Sequence, residues 1–164
     1  EGLKAAKQSI AENMRVNMTL VFSQEQAAAV YAATRGAKKG QVFVSPFVGR
    51  LDDIGERGMD LISNIIQMYS QGDGHVEVLT ASVRSTEHIQ EAISLGSDML
   101  TAPIKVLKEW GGKISNTQYP ISGLKPIPYH KIDLNKPWQE YNIQHELTNK
   151  GLAKFGQDWN NLIA

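Results

Sequence analysis

Residues 16–36 read VNMTLVFSQEQAAAVYAATRG, and this stretch decides the fold because it contains a complete strand-and-helix unit. Val16 to Phe22 is rich in β-branched and apolar residues, which predicts a strand. Ser23 supplies a hydroxyl that can cap a helix over Gln24 to Thr34, and Gln26 at its third position completes a capping box. The stretch therefore predicts a strand that leads directly into a helix.

The same unit recurs along the chain, after an opening helix predicted over residues 3–12. The further units are predicted as strand 41–47 with helix 58–69, strand 76–82 with helix 86–95, and strand 98–101 with helix 104–110. Each helix can serve as the crossover that parallel strand pairing requires. We therefore predict an α/β fold with four parallel strands.

Side-chain alternation along the strands is the second indication of the fold. The first strand is predicted to place Val16, Met18, Leu20 and Phe22 on one face and Asn17, Thr19 and Val21 on the other. Polar residues are predicted to recur on one face of the sheet, at Asn17, Thr19, Ser45, Thr80, Ser82 and Arg84. The interior of a (β/α)8 barrel, which becomes an active site toward the C-terminal strand ends, produces this pattern.

The last third of the chain has a different character. Between Gly111 and Tyr129, three prolines exclude a continuous helix and predict a connection or lid. An amphipathic C-terminal helix follows, predicted from helical spacing of Leu152, Phe155, Trp159 and Leu162. We divide the chain into residues 1–110, part of a barrel, and residues 111–164, a Pro-rich connection with C-terminal helices.

Composition narrows the classes of partner. The 17 basic residues equal the 17 acidic residues, so no basic excess favours nucleic acid or a membrane surface. The chain has no cysteine, which excludes disulfides, thiolate metal sites and a cysteine nucleophile, and is compatible with a cytoplasmic location. The four histidines, His75, His88, His130 and His145, show no metal-ligand spacing, so no metal site is predicted.

Two arginines follow predicted strand ends and are candidate anion ligands. Arg50 closes the run Ser45-Pro46-Phe47-Val48-Gly49-Arg50, and Arg84 lies just before a predicted helix N-terminus. A guanidinium at a strand end can bind a phosphate group with its planar set of donors. The alternative is a pair of surface arginines bound to carboxylates such as Asp52, Asp53 or Glu87, and the residues alone leave both readings open.

Three runs resemble successive motifs of the transaldolases: Asn17-Met18-Thr19-Leu20-Val21-Phe22-Ser23, Ser45-Pro46-Phe47-Val48-Gly49-Arg50 with Asp52 following, and Ala81-Ser82-Val83-Arg84. Lys154-Phe155 and Asp158-Trp159 are similar to the terminal helix of that family. The order and spacing match its smaller members, from residue 1 to about 110 and onward to 164. The resemblance implies a (β/α)8 barrel, of which this chain supplies roughly the last four units.

The resemblance also implies a chemistry. Transaldolases form a Schiff base between a barrel lysine and a ketose phosphate, and pass a dihydroxyacetone unit to an aldose phosphate without a metal or another cofactor. The family places this lysine a few residues before a pair that resembles Glu1-Gly2, so we expect the chain to start within the helix after the fourth barrel strand. The lysine would then belong to the N-terminal remainder of the barrel, and this chain alone is predicted to be inactive. Lys4 and Lys7 are interpreted as surface residues on an outer helix.

Carried over by position, the resemblance assigns catalytic roles to Thr19 and Asn17. Thr19 is similar to the threonine that holds a proton-relaying water, and Asn17 to the asparagine that bonds the substrate or the Schiff-base intermediate. Ser45 resembles the serine that contacts a hydroxyl of the dihydroxyacetone unit.

The resemblance assigns phosphate binding to Arg50 and Arg84, with assistance from Ser82. The related fructose-6-phosphate aldolases typically have Ala and Tyr in place of Ser45 and Phe47, so Phe47 favours transfer over simple cleavage. Aldol cleavage and a non-catalytic half-barrel that binds sugar phosphate are the alternatives.

The expected partners are sugar-phosphate substrates, the rest of the barrel and further copies of the chain. A homo-oligomer is expected through the C-terminal helix, although packing of its apolar stripe into the chain's own core is the commoner outcome for such a pattern. Neither nucleic acid nor membrane is expected as a partner. The resemblance further implies a cytoplasmic role in the pentose phosphate pathway.

Overall fold

A computed structural model describes residues 1–112 and 123–163. Helices and strands alternate in the order α1 Gly2–Ala11, β1 Val16–Val21, α2 Gln24–Ala33, β2 Val42–Pro46, α3 Val48–Asp52, α4 Gly58–Tyr69, β3 Val76–Thr80, α5 Thr86–Leu95, β4 Met99–Leu100, α6 Ile104–Gly111, a 3-10 turn Trp138–Glu140 and α7 Glu146–Ile163. The strands form a parallel sheet in the order β1-β2-β3-β4. Consecutive β/α units in sequential strand order are the arrangement within a (β/α)8 barrel, so the predicted fold class is confirmed.

Local capping explains where two of the helices begin. The Ser23 hydroxyl accepts a hydrogen bond from the backbone N–H of Gln26 at 3.1 Å, as predicted. The Gln26 side chain does not close the expected box on Ser23, because its Oε1 accepts from the backbone N–H of Phe22 at 2.7 Å. Ser85 caps α5 in the same way, and that helix ends at Gly96 in the left-handed conformation.

One face of the sheet packs against the helices and forms most of the core. Between β1 and β2, Val16 pairs with Val42 and Met18 pairs with Val44. Between β2 and β3, Val42 pairs with Val76 and Val44 pairs with Val78. Side chains paired in a parallel ladder lie on the same face. These valines pack in one cluster with Leu61, Ile62, Ile65 and Met68 of α4.

A β-bulge makes the predicted alternation of β1 wrong after Met18. Met18 pairs with Val44 and Val21 with Pro46, so β1 contains one residue more than β2 in this interval. Leu20 occupies the bulge with φ of 60°, a rare conformation for a branched side chain. Val21, and not Leu20, consequently shares the face of Val44 and Pro46, while Leu20 contacts Gly151 of α7; both side chains belong to the main buried cluster.

The predicted polar face is also wrong at Thr80. Because Val44 pairs with Val78, Thr80 lies on the helix-facing side of β3, opposite to Ser45. There Thr80 is fully buried, and its hydroxyl forms a 2.8 Å hydrogen bond with that of Ser97. The inner face of β3 instead presents Glu77, which pairs with Phe43.

Residues 123–145 run along the outside of α2 and α4 and join the same core. Lys125 exchanges backbone hydrogen bonds with Gly55 and Arg57, at 2.7 and 2.8 Å. Leu134 and Tyr141 are buried in the main cluster. The described part of the predicted second segment, 111–164, therefore packs directly onto the first; Pro120 lies outside the described residues.

Helix α7 begins at Glu146, six residues before the predicted apolar stripe. Leu152, Trp159 and Leu162 have exposed fractions of 60%, 63% and 81%. The stripe therefore does not pack into the chain's own core. Within residues 1–112 and 123–163, no helix is long and apolar enough to cross a membrane.

Candidate active site

A polar pair lies on the inner face of β1 and β2. Asn17 pairs with Phe43, and Ser45 lies two residues farther along β2, so all three side chains are on the same face. The buried hydroxyl of Ser45 donates to Asn17 Oδ1 at 2.7 Å. This bond leaves the amide N–H groups of the exposed Asn17 for a ligand, and it leaves lone pairs on Ser45 that can accept a ligand hydroxyl.

The short helix α3 lies in the interval between the predicted strand 41–47 and the predicted helix 58–69, and it places Arg50 beyond the C-terminal end of β2. Its first residues are held to the end of β3, because the N–H groups of Val48 and Gly49 donate to the carbonyl oxygens of Ala81 and Ser82 at 3.0 and 3.2 Å. A Cβ atom at Gly49 would overlap the Ser82 carbonyl and the Arg84 side chain. Glycine is therefore required where α3 meets that loop.

Arg50 is enclosed by aromatic rings. Its guanidinium carbon lies 5.2 Å from the ring centroid of Phe47 and 5.8 Å from that of Phe155 in α7. Phe47 in turn packs edge-to-face on Phe22, with centroids 5.9 Å apart. Among the described residues Arg50 has no ion pair, so its charge is available to an anionic ligand.

Arg84, unlike Arg50, forms an ion pair within the described residues. Its guanidinium binds Asp53 through both terminal nitrogens, one of them 2.6 Å from Asp53 Oδ2. The two side chains are 39% and 48% exposed. Of the two readings that the sequence left open, the surface ion pair describes Arg84 as it stands, and Arg50 fits the anion site. Ser82, two residues before Arg84, has a φ of 59°, and the chain turns sharply there after β3.

A buried histidine–carboxylate pair, which the sequence prediction missed, lies beneath the arginines. His88 Nε2 lies 2.9 Å from Asp52 Oδ2, and both side chains are almost fully buried. Asp52 also accepts from the N–H of Gly58 at 2.9 Å, and His88 Nδ1 accepts from the N–H of Arg84 at 3.3 Å. The pair therefore joins α3, α4 and the loop that carries Arg84.

Thr19 is the predicted site residue with the fewest interactions. It is exposed on β1, next to the bulge at Leu20. Its side chain forms no hydrogen bond with the described residues, the Asn17–Ser45 pair included. Its hydroxyl therefore remains available to a ligand or a water molecule.

Sequence reasoning also missed the packing of His145 on Phe22, the ring that contacts Phe47. The His145 and Phe22 rings stack with centroids 5.2 Å apart, and burial lowers the pKa of His145 against the opposing influence of Glu56 and Glu146. A cavity of ≈ 540 Å³ is lined by residues that include Phe22, Ser23, Glu56 and His145, and by none of the predicted site residues. No spacing rule signals this histidine, because its partner lies more than 120 residues earlier.

The arrangement suits an anionic, polyhydroxylated ligand. It combines amide donors and a hydroxyl acceptor on the inner face of β1 and β2 with an unpaired guanidinium just beyond the C-terminal end of β2. Strands β1 to β4 contain no lysine, and Lys4 and Lys7 are exposed on α1. Among the described residues no group of three or more His, Cys, Asp or Glu side chains could hold a metal ion.

Comparison with known proteins gives a consistent result. The family model described as transaldolase/fructose-6-phosphate aldolase matches residues 1–164. A probable transaldolase of Bdellovibrio bacteriovorus is 39% identical over 160 residues, which cover 98% of this chain and 57% of that protein. Probable transaldolases of Brucella ovis and Alkaliphilus metalliredigens are 38% and 36% identical, over 97% and 99% of this chain and 56% and 58% of their own lengths. The chain spans a little over half the length of these curated relatives.

Proposed function

This chain belongs to the transaldolase/fructose-6-phosphate aldolase family, and on that premise we propose that the whole protein is a transaldolase. It transfers a dihydroxyacetone unit from a ketose phosphate to an aldose phosphate. The observation that carries the proposal is the pair on the inner face of β1 and β2, in which the buried Ser45 hydroxyl orients the exposed Asn17 amide, together with Arg50 just beyond β2, an arginine without an ion pair among the described residues. A ketose phosphate has hydroxyls that can bond the Asn17–Ser45 pair and a phosphate that can bind the arginine.

In the proposed reaction, a lysine from a part of the barrel outside these four strands attacks the ketose carbonyl and releases water. The protonated imine then accepts the electron pair when the bond between the third and fourth carbons breaks, and the carbons from the fourth onward leave as an aldose phosphate as the fourth-carbon hydroxyl loses its proton. The resulting enamine attacks the aldehyde of the acceptor, and hydrolysis returns the lysine. Charge on the imine nitrogen replaces a metal as the electron sink.

The residues of this chain would bind and orient the reactants. We assign to Ser45 the acceptance of a hydroxyl of the dihydroxyacetone unit, to Asn17 donation to the substrate or the intermediate, and to Thr19 a water that relays protons. Arg50 binds the phosphate, and Arg84 with Ser82 assists after its pair with Asp53 opens. Fixed donors of this kind lower the barrier because they need no reorganisation during the reaction.

Phe47 supports transfer over cleavage. Its ring has no hydroxyl, and it packs against Phe22 and Arg50, so it offers no group to orient a water that would protonate the enamine. The competing proposal is aldol cleavage. Initial rates on fructose 6-phosphate, measured with and without an aldose phosphate acceptor, decide between them: a transaldolase requires the acceptor, and turnover without it would favour the aldolase.

Borohydride trapping tests the location of the nucleophile. Fructose 6-phosphate and borohydride are expected to leave a stable adduct on a lysine of the full-length protein that lies outside residues 1–164. Residues 1–164 alone are expected to yield no adduct. A stable adduct on one of their lysines would contradict the assignment, and the Lys4→Arg and Lys7→Arg variants would show whether α1 provides it. Binding of fructose 6-phosphate without any adduct in the full-length protein would favour the non-catalytic half-barrel.

We further propose that α7 mediates assembly of identical copies. Leu152, Trp159 and Leu162 expose apolar surface along one stripe of the helix, and exposed apolar patches commonly mark protein contacts. The Trp159→Lys variant is expected to lower the native mass of the full-length protein to that of a smaller species, measured by light scattering. Lys150→Glu, on the polar side of the same helix, is the control, and an unchanged native mass in Trp159→Lys would contradict the assignment.

The family relation also supports a place in the pentose phosphate pathway. We place the reaction in the cytoplasm, where a chain without cysteine has no disulfide to lose to reduction.

A further inference from the structure

Arg50 is held in place without a carboxylate. A long side chain normally loses considerable rotamer freedom when it is fixed, and an ion pair is the usual compensation. Arg50 instead lies over two aromatic rings, Phe47 at 5.2 Å and Phe155 at 5.8 Å. Phe47 comes from the end of β2 and Phe155 from α7, more than 100 residues later. The guanidinium is therefore positioned jointly by the sheet and the C-terminal helix.

The contact is possible because α7 lies very close to the end of β1. Thr148, Gly151 and Phe155 are three and four residues apart and so lie on one side of the helix. The Thr148 hydroxyl donates to the carbonyl of Leu20 at 2.9 Å. A Cβ atom at Gly151 would lie 2.6 Å from Leu20 Cδ2 and 3.0 Å from Arg50 Nη1, so only glycine allows this approach without displacement.

The two ring contacts leave the Arg50 donors without a hydrogen-bond partner among the described residues. The attraction between a guanidinium and a ring uses the faces of both groups, whereas the N–H donors point outward in the guanidinium plane. A phosphate binds to those edge donors. The Arg84 guanidinium differs, because its edge donors are already bound to Asp53.

We propose that Phe155 is a positioning residue for phosphate binding: together with Phe47 it fixes the Arg50 guanidinium in the orientation that receives the phosphate of a sugar phosphate. Helix α7 thereby sets the preference of the site for phosphorylated over unphosphorylated substrates. The inference rests on the proposed function, since it presupposes that Arg50 binds the substrate phosphate.

The test compares Phe155→Leu, Phe155→Tyr and the control Trp159→Leu in the full-length protein. Leucine keeps apolar volume but has no aromatic face, and tyrosine restores the face. Phe155→Leu is expected to raise KM for fructose 6-phosphate by roughly 3- to 10-fold with kcat nearly unchanged, as the loss of one cation–π contact predicts. Inhibition by inorganic phosphate should weaken by a similar factor. Phe155→Tyr should retain wild-type values, as should Trp159→Leu at concentrations where its native mass equals that of the wild type, and KM for unphosphorylated fructose should be the same in all variants.

Arg50→Met separates failure of the inference from failure of the proposed function. If Arg50→Met does not weaken binding of fructose 6-phosphate or inorganic phosphate, the phosphate assignment is wrong and the inference is overturned with it. If Arg50→Met weakens both and Phe155→Leu weakens neither, the inference alone is overturned. Equal KM increases for fructose and fructose 6-phosphate in Phe155→Leu, or no recovery in Phe155→Tyr, would show that Phe155 only supports folding of α7, and would also overturn it.

Discussion

The two ends of the sheet treat polar side chains in opposite ways. At the N-terminal end, buried His75 bonds Asp73 through Nδ1 and lies 3.1 Å from Thr34 Oγ1 through Nε2. Asp73 also accepts from the Tyr31 hydroxyl at 2.9 Å. Toward the C-terminal end, the Arg50 donors have no partner among the described residues, and neither do the amide N–H groups of Asn17, which lies earlier in β1 and bonds Ser45 near the end of β2. Polar groups satisfied by each other stabilise a fold, whereas polar groups held in place but unsatisfied can bind a ligand.

The comparison also shows why residue types alone are a poor guide to catalysis. Thr34, His75 and Asp73 have the chemical identities of a nucleophile, a base and an orienting acid. Thr34 is only 1% exposed, however, and its hydroxyl donates to the Val30 carbonyl at 2.8 Å. No substrate can reach it. The cluster is structural, and it lies at the end of the strands where (β/α)8 barrels keep residues that serve stability.

The largest expected effect breaks the N-terminal cluster. His75→Ala removes a buried ring and leaves Thr34 and Asp73 without their partner, which should lower the free energy of unfolding by about 2–4 kcal/mol. Urea denaturation measures this change. KM for fructose 6-phosphate should be unchanged in the folded variant, and a selective increase in KM would show that the two ends are coupled. His130→Ala, whose side chain is exposed, is the control.

The next effect concerns Ser45, near the C-terminal end of β2, and should lower activity with little change in stability. Ser45→Ala removes the hydrogen bond that orients the Asn17 amide, and we expect kcat/KM to fall about tenfold, or about 1.4 kcal/mol, from the lost hydrogen bond and ligand contact. The free energy of unfolding should change by less than about 1 kcal/mol. Ser94→Ala on the exposed face of α5 should change neither quantity. A loss of stability without a loss of activity would place Ser45 with the structural group.

A pH titration gives a smaller effect that is confined to the N-terminal cluster. The hydrogen bond from His75 lowers the pKa of Asp73 to about 2 in the folded chain, against roughly 3.9 when unfolded. The carboxylate therefore stabilises the fold above about pH 4, and this contribution is lost as pH falls toward 2. Because Asp73 is 61% exposed, solvent screening limits it to about 1 kcal/mol at most.

Asp73→Asn should remove this component of the pH dependence. Unfolding free energies measured from pH 6 to pH 2.5 should fall less steeply in this variant than in the wild type. Asp158→Asn on α7 is the control. Equal slopes in Asp73→Asn and wild type would mean that the carboxylate adds nothing to stability.

The smallest expected effect concerns the ion pair between Arg84 and Asp53, a kind of contact that Arg50 lacks among the described residues. Asp53→Asn frees the Arg84 donors, and we expect inorganic phosphate to bind about twofold more tightly, since exposed ion pairs are worth less than about 1 kcal/mol. Glu140→Gln, which changes charge equally at an exposed position, is the control in the same titration. Weaker phosphate binding in Asp53→Asn would mean that Asp53 orients Arg84 for the ligand.

Local sequence determined the repeated β/α units. The helices Gly58–Tyr69 and Thr86–Leu95 begin and end where the apolar periodicity predicts, and the hydroxyl of Ser23 caps α2 as expected. Periodicity and capping involve residues within one or two turns, so they can be inferred without the rest of the structure. Of the residues that the family resemblance selected, Asn17, Thr19 and Ser45 lie within β1 and β2, whereas Phe47, Arg50, Ser82 and Arg84 follow β2 and β3.

Tertiary structure alone decided how those side chains are used. The bulge at Leu20 depends on pairing with β2; it places Val21 on the face predicted for Leu20, and Leu20 contacts α7. Whether an arginine is paired depends on a carboxylate or a ring that is distant in sequence: Asp53 binds Arg84, whereas Phe155 covers Arg50. Strand positions follow from rules of local spacing, but partners across space follow only from packing of the whole chain.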